Sequence, residues 1–447
     1  MAMTDWTIVT RSLRTRFFST ATTVVSVAIA VGLMLVLLML QSSGRKAFER
    51  GTGNVHLLVS RDASGLVSVL NGMFYAGAPL KPVTYAEYER IAGSLPLEWA
   101  VPVQLGDSYK GQWPVLATSP EFFTKFRPAE DAAWTFPEGG PFTKDFELVV
   151  GAVAARATGL KVGSRVVLTH GAASSRASGV AGHEHDEFRY SVVGILAATG
   201  TPHDRALFSN LNSSWLIHAV DRLEREHAAG DHDHMDDHEH HDHATITEKD
   251  LIDADKKITN IYLRVATRPG QDASAAVPVV MEYLRRHPDF QAAPLTVAGP
   301  VQEIRRLDAI VGNINQLLVL MAVVVMVSSG VGIMLALYNS MQQRQRQIAV
   351  LRVLGASRGR IFGLIITESA FIGLLGAGLG LGVGLIGAQI ASGVLRTRLG
   401  ISISPETSPL ILANIFLMTL GLSILAGLIP AIMAYRTSVW RNLRPAA

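Results

Sequence analysis

Residues 22–40 read TTVVSVAIAVGLMLVLLML, and this apolar stretch decides what kind of fold the chain can adopt. No charged residue lies between Arg16 and Arg45. About 20 such residues cross a hydrocarbon core of about 30 Å as a helix. A cleaved signal peptide is the alternative, because Arg11 and Arg14 also precede the stretch. Its apolar region would span only about 7–15 residues and end at a small-residue cleavage site, so we predict a retained membrane span.

Three further apolar stretches follow near the other end of the chain. Residues 309–343 are uncharged, residues 361–395 contain only Glu368, and a third uncharged run lies between Glu406 and Arg436. The whole chain of 447 residues is 49% hydrophobic and 17% charged, against a usual charged fraction of about 25%. We therefore expect four membrane spans with one large insert between the first and second.

Basic residues orient these spans. Arginines precede the first span, and others lie between the second and third spans and after the fourth: Arg344, Arg346, Arg352, Arg358, Arg360, Arg436, Arg441 and Arg444. Lys and Arg concentrate in cytoplasmic loops, so both termini are expected in the cytoplasm. The insert then faces outward, which in a Gram-negative cell places it in the periplasm and the spans in the inner membrane.

The insert is expected to be an α+β domain. Alternating strands are predicted at 54–60, 146–151, 164–170, 190–196 and 260–266, and helices at 84–94, 119–126 and 275–287. The fold class is therefore an α-helical membrane protein with four transmembrane helices and a large α+β periplasmic domain between helices 1 and 2. The predicted segments are an interfacial helix at 1–17, spans at 18–42, 309–340, 361–395 and 409–435, the periplasmic domain at 43–305, a coupling helix at 341–360, a short periplasmic loop at 396–408 and a cytoplasmic tail at 436–447.

The segment before the first span could lie on the inner membrane face. Trp6, Ile8, Phe17 and Phe18 alternate with arginines there, which is typical of an amphipathic interfacial helix in contact with lipid. A simple continuation of the first span is the alternative.

Several functional classes are excluded by what the sequence lacks. The net charge is +3 and no basic block with interleaved aromatic residues is present, so nucleic acid is not an expected partner. There are no cysteines, which excludes disulfides and thiolate metal sites. We find no phosphate-binding loop of the form G-x-x-x-x-G-K-[ST], no H-E-x-x-H motif and no nucleophile elbow. The chain is therefore not expected to be an enzyme on its own, or to hold a cofactor.

The predicted outer domain contains a run rich in histidine and acid, HAAGDHDHMDDHEHHDHA, at 227–244. It shows no apolar periodicity, so the loop 226–248 is expected to be disordered. Imidazoles and carboxylates bind divalent metals, and zinc is our choice because thioether ligands are scarce. A pH sensor and a solvated loop without a selected role stay open as alternatives. The candidate ligands are His227, His232, His234, Asp236, Asp237, His238, Glu239, His240, His241 and His243, and a second patch could include His183 and His185.

Residues 342–384, which read QQRQRQIAVLRVLGASRGRIFGLIITESAFIGLLGAGLGLGVG, resemble the region after the second span of MacB/FtsX-type ABC transporter permeases. Segments 106–123, 148–168 and 188–196 resemble the periplasmic core domain of these permeases, and residues 430–444 resemble their ending. Gln347 departs from the pattern, because the family usually has Glu there.

The resemblance implies a homodimer in which each copy docks on a separate cytoplasmic ATPase. ATP hydrolysed in that partner would drive mechanotransmission to the periplasm, where an adaptor or substrate-binding protein could act. The docking element is the helix between spans two and three, whose apolar residues recur every three or four positions. Its residues in the motif are Ile348, Val350, Leu351, Arg352, Leu354 and Gly355.

Two features of the third predicted span suggest specific roles: an acidic residue and a set of regularly spaced glycines. Glu368 is an ionisable residue in a membrane span, and placing such a side chain in the membrane costs free energy. We therefore expect Glu368 either to pair with Arg358 or Arg360 or to have a role in conformational coupling. Small residues four apart allow close helix packing in lipid, within one chain or across a dimer. These residues are Gly376, Gly380 and Gly384.

For the specific role, we expect a periplasmic process linked to zinc or another divalent metal. Export or extraction of a peptide, drug or lipoprotein with an incidental histidine run is the first alternative. A metal-sensing signalling or scaffold protein is the second.

Overall fold

The protein divides into two compact units in a computed structural model. A helical unit contains Met1–Gly44, Ile310–Val394 and Ser404–Ala447, and a sheet unit contains Arg45–Ala309 and Leu395–Ile403. The structure describes residues 10, 14–77, 79, 81–170, 183–230, 247–267, 273–290, 293–353, 355–399 and 408–436.

The elements follow the chain in the order long helix, mixed α+β region, three long helices. They are α1 (Phe17–Arg50), β1 (Leu57–Ser60), α2 (Gly65–Phe74), β2 (Val83–Thr84), α3 (Tyr85–Ser94), β3 (Leu97–Tyr109), β4 (Trp113–Thr118), α4 (Phe122–Lys125), β5 (Glu138–Gly139), β6 (Glu147–Val150), α5 (Ala152–Thr158), β7 (Arg165–His170), β8 (His183–Ile195), β9 (Leu207–Asn210), α6 (Leu211–Gly230), β10 (Lys257–Ile258), β11 (Asn260–Val265), α7 (Ala276–Arg286), β12 (Thr296–Ala298), α8 (Pro300–Val353), α9 (Arg358–Leu399) and α10 (Pro409–Arg436).

Four helices, α1, α8, α9 and α10, are long and apolar enough to cross a membrane. At 1.5 Å per residue, the 34 residues of α1 extend about 51 Å and the 54 residues of α8 about 81 Å. Both therefore exceed the roughly 30 Å of a hydrocarbon core. The predicted first and second spans, 18–42 and 309–340, are thus parts of longer helices.

The sheet unit is built on a ten-stranded mixed sheet in the described part of the chain. Its strand order is β12-β1-β11-β3-β4-β9-β6-β8-β5, with β7 pairing to β3 and β8. The pairs β4–β9 and β6–β8 are parallel, and the other registered pairs are antiparallel. Strands β2 and β10 form a separate two-stranded ladder.

Side chains from successive strand positions bury both faces of this sheet. Leu58 packs into a core with Phe122, Phe126 and Tyr262, whereas its neighbour Leu57 lies in a second core under α3, α6 and α7. Successive strand residues point to opposite faces, so a strand covered on both sides needs an unbroken apolar run. The sequence LLVS of β1, buried at every position, meets that need.

The predicted fold class is confirmed. The strands and helices expected in the insert are present, with β8 starting earlier than predicted. Strands β3 and β4 were not predicted; β3 is interrupted by Pro102 and by a bulge near Gly106, which hide its alternation.

The separate coupling helix predicted at 341–360 does not form. Instead, α8 continues from the second span to Val353, and α9 starts at Arg358. Residues 342–347 are Gln and Arg, which are good helix formers, so nothing ends the helix there. A turn follows at Gly355, whose φ of +97° suits glycine.

Candidate functional site

The end of α8 and the turn to α9 hold the predicted docking residues. Ile348 packs against the buried residues Met341, Ile361 and Ala434, so it faces the other helices of its unit. Val350 is 45% exposed and Val353, which was not among the predicted docking residues, is 64% exposed. These two valines are three positions apart and share one helix face. Among the side chains described at this site, Val350 and Val353 therefore form an exposed apolar face.

The remaining predicted docking residues surround this face. Arg352 is half-buried, and Gly355 is exposed in the turn. Leu354 and the side chain of Leu351 lie outside the described residues. The sequence pattern predicts a docking segment here, and the contacts of Ile348 show which face of that segment packs inward.

The start of α9 is held in place by two polar contacts. The Ser357 hydroxyl accepts a hydrogen bond from the Arg360 backbone N–H at 3.2 Å, as a helix N-cap does. The guanidinium of Arg358 lies 5.9 Å from the ring centroid of Tyr435 on α10, within cation–π range.

Glu368 on α9 is half-buried and interacts electrostatically with Arg16, which precedes the first span. Burial and the positive charge of Arg344 lower the pKa of Arg16, and the carboxylate of Glu368 opposes that shift. Sequence reasoning treated Arg16 only as a topology signal, because 352 positions separate it from Glu368.

The glycines of α9 pack against α1 of the same chain. A Cβ at Gly376 would lie 2.6 Å from Val27 Cγ1, and one at Gly380 would lie 2.6 Å from Val31 Cβ. At Gly384 the close neighbours are Leu35 and the backbone of Gly32. This glycine stripe therefore forms an intramolecular α1–α9 contact.

Most of the candidate metal ligands belong to the histidine run. His232, His234, Asp236, Asp237, His238, Glu239, His240, His241 and His243 lie outside the described residues. His227 lies in α6, and His183 and His185 lie in β8, where the structure describes the backbone alone. Among the side chains that the structure describes, no group of three or more His, Cys, Asp or Glu could hold a metal.

Sequence reasoning missed one histidine near this patch. His170, the last residue of β7, pairs directly with His183 in the antiparallel ladder, and His185 is two residues further along β8. Directly opposite residues of a ladder lie on the same face of the sheet. In the sequence, His170 could have been identified because it is the last residue of a predicted strand and the next histidines along the chain are His183 and His185.

A buried ion pair joins the two chain segments that flank the histidine run. Arg222 on α6 donates through Nε to Asp255 Oδ1 at 3.0 Å and through Nη2 to Oδ2 at 3.1 Å. On the same helix, His218 contacts the Asp255 carbonyl through Nδ1 at 3.2 Å and the amide of Gln104 through Nε2 at 3.1 Å. The two segments that flank the histidine run are thus connected by hydrogen bonds, through His218 and Gln104, to the central strand β3.

The predicted interfacial helix at 1–17 lies largely outside the described residues. Thr15 and Arg16 are described, and Arg344 Nη2 donates to Thr15 Oγ1 at 3.3 Å. This short segment is therefore attached to α8.

Two family models match the chain. The MacB-like periplasmic core domain matches residues 18–280, more than half of the chain. The FtsX-like permease C-terminal model matches residues 319–439, which include the predicted docking residues, Glu368 and the glycine stripe. Together they cover α9 and α10 in full and most of α1, α8 and the sheet unit.

The curated relatives are permeases. An uncharacterized ABC transporter permease of Methanocaldococcus jannaschii is 21% identical over 170 residues, 38% of this chain and 42% of that protein. An uncharacterized ABC transporter permease protein of Mycobacterium tuberculosis is 38% identical over 129 residues, 26% of this chain and 14% of that protein. The chain thus spans less than half the length of the curated relatives it matches.

Among solved structures, the periplasmic region of MacB from Actinobacillus actinomycetemcomitans aligns with a TM-score of 0.31 and 8% identity, over 57% of this chain and 94% of that one. The family assignment rests on the two sequence models. The protein is a multi-pass membrane protein with a large MacB-like domain between its first and second spans. The chain belongs to the MacB/FtsX-type family of ABC transporter permeases.

Proposed function

We propose that the chain couples a separate cytoplasmic ATPase to work done by its large outer domain. Both termini and the α8–α9 turn lie in the cytoplasm, the chain acts as a homodimer in the inner membrane, and ATP is hydrolysed in the partner. α1 and α8 carry the movement outward because each is continuous beyond the membrane span. An adaptor or substrate-binding protein completes the assembly outside.

The exposed face of Val350 and Val353 carries this proposal. Both side chains are apolar and exposed in a segment otherwise rich in Gln and Arg. Exposed valine in a polar segment outside the apolar core of a span suits a protein partner, which would bury it. Ile348, the neighbouring predicted contact, instead stabilises the helix packing of this chain.

Replacing Val353 with Asp is expected to abolish stable docking of the ATPase. A buried interface residue of this kind contributes about 2 kcal/mol, or roughly 30-fold in affinity. The measurement is co-purification of the ABC ATPase encoded nearest to the chain, co-expressed with the tagged permease. Gln342→Asp, which adds the same charge to an exposed site of α8, is the matched control. Undiminished co-purification with Val353→Asp would refute the docking assignment.

We further propose that the outer domain binds zinc or another divalent metal through its histidine run, and that the transported or regulated process involves that metal. The run supplies seven imidazoles between His227 and His243 with interspersed carboxylates, the donor set that zinc accepts. The pairing of His170 with His183 supports a second patch on the β7–β8 ladder.

Calorimetric titration of zinc chloride into the full chain in detergent tests this proposal. Micromolar binding is expected for the intact chain, with loss of most bound zinc after deletion of 227–243. His170→Ala with His183→Ala should remove any remaining binding at the second patch. Equal zinc uptake with and without the run would favour export or extraction with an incidental loop.

A further inference from the structure

Arg16 bonds to two acceptors on one turn of α8. Its Nη2 donates to the Ser340 carbonyl at 3.1 Å and to Gln343 Oε1 at 2.7 Å. Ser340 is buried, and Arg16 is half-buried. These contacts tie the residue just before the first span to the helix that leads into the docking face.

The same guanidinium also interacts electrostatically with a carboxylate on α9. The carboxylate of Glu368 acts on Arg16 with the sign of an attractive pair, against the repulsion of Arg344. Arg344 in turn donates to Thr15 Oγ1 at 3.3 Å, which adds a second bond between this segment and α8. Residues 15–16 are therefore hydrogen-bonded to α8, and the charge of Glu368 on α9 acts on the same arginine.

These interactions lie close to the docking face along both helices. Gln343 precedes Val350 by about two helical turns of α8, and Glu368 follows the start of α9 by about three turns. One side chain is thus hydrogen-bonded to one arm of the α8–α9 hairpin and attracted by the carboxylate of Glu368 on the other.

We propose that Arg16 is a positioning residue that joins the start of α1 to both arms of the α8–α9 hairpin, so that α1 follows the hairpin when a partner displaces it. The inference rests on the proposed function for the identity of that partner. An arginine suits the role because its planar fork can satisfy several acceptors at once, whereas lysine offers a compact point charge. It also gives Glu368 a role within the chain.

A double-mutant cycle tests the junction without any partner. Arg16→Gln and Glu368→Gln are each expected to lower the thermal unfolding midpoint of the full chain in detergent. The combined variant should fall short of the summed shifts by about 3 °C, because both changes remove one interaction. Arg14→Gln, which removes an equal charge from an exposed neighbour, is the control and should shift the midpoint little. Additive shifts would overturn the junction.

A cross-link then tests whether α1 follows α8. Ser26 Oγ on α1 lies 3.0 Å from Ser329 Oγ on α8, and the chain has no native cysteine to interfere. With Ser26→Cys and Ser329→Cys in the complex with the ATPase, ATP and vanadate should leave the disulfide yield unchanged. Adding Arg16→Gln should make ATP and vanadate lower that yield by half or more, and Arg16→Lys should lower it less.

The outcomes separate the two proposals. Equal ATP dependence with and without Arg16 would overturn the transmission role, whereas failure of the intact chain to bind the ATPase would overturn the proposed function. The double-mutant cycle decides the junction in either case.

Discussion

Gly380→Val is expected to lower the stability of the helical unit by about 3 kcal/mol, at the upper end of the range for overpacking. The Cβ alone would lie 2.6 Å from Val31 Cβ and 2.7 Å from the Ala28 carbonyl oxygen on α1. Because the second contact is backbone, rotamer changes cannot relieve it. Helices α1 and α9 would have to separate, with loss of their close packing.

Gly382→Val on the same helix is the matched control, because a Cβ there meets nothing within 4 Å. The measurement is the thermal unfolding midpoint and the yield of monodisperse protein in detergent. If both variants lowered the unfolding midpoint and the yield equally, the cause would be a valine in this helix and not the α1–α9 contact.

Arg222→Met is expected to destabilise the sheet unit by about 2–3 kcal/mol. The Asp255 side chain is 3% exposed and that of Arg222 is 20% exposed, so the variant leaves a buried carboxylate without its ion pair. Removing one partner of a fully buried pair costs about 3–5 kcal/mol, and the partial exposure of Arg222 reduces this. The unfolding midpoint, followed by tryptophan fluorescence, should fall by about 5–10 °C.

The effect of Arg222→Met should also depend on pH. Burial alone would raise the pKa of Asp255, but hydrogen bonds from Arg222 and the Ile252 N–H outweigh it and hold the pKa below its ordinary value. A lowered folded-state pKa stabilises the protein above the unfolded value of about 3.9 and loses that contribution as the pH falls. The difference in unfolding midpoint between wild type and Arg222→Met should therefore be largest at neutral pH and become smaller below about pH 4.

Two further variants make the Arg222 result specific. Adding Asp255→Asn to Arg222→Met removes the buried charge and should recover much of the loss. Arg90→Met removes one partner of an exposed pair with Asp289 at 3.8 Å, and should change stability by about 1 kcal/mol or less. A loss at Arg90 equal to that at Arg222 would contradict the role of burial.

The class of fold was predictable because its signals are local. An uncharged run such as 22–40 predicts a span whatever surrounds it, and short apolar runs such as 57–60 predict strands. Pairing was not predictable: β4 lies between β3 and the distant β9, and that choice depends on contacts across about ninety residues of sequence.

At the candidate site, the sequence predicts the kind of contact that a residue makes but not which helix or residue it contacts. The spacing of Gly376, Gly380 and Gly384 predicts close packing, but only the structure identifies α1 as the neighbouring helix. Likewise, periodicity assigned Ile348 to the docking face, although Ile361 and Ala434 cover it. The sequence pattern of one helix does not specify which of its faces other helices of the chain occupy.

The Arg222–Asp255 pair has a consequence for how this permease could evolve. It fixes the two ends of the histidine-bearing segment to each other through residues outside the run 227–244. The entropy cost of closing a loop grows by only about 0.6 kcal/mol for each doubling of its length. Insertions there are therefore nearly neutral for folding. During evolution this segment can therefore be gained, lengthened or replaced while the fold of the rest of the permease is kept.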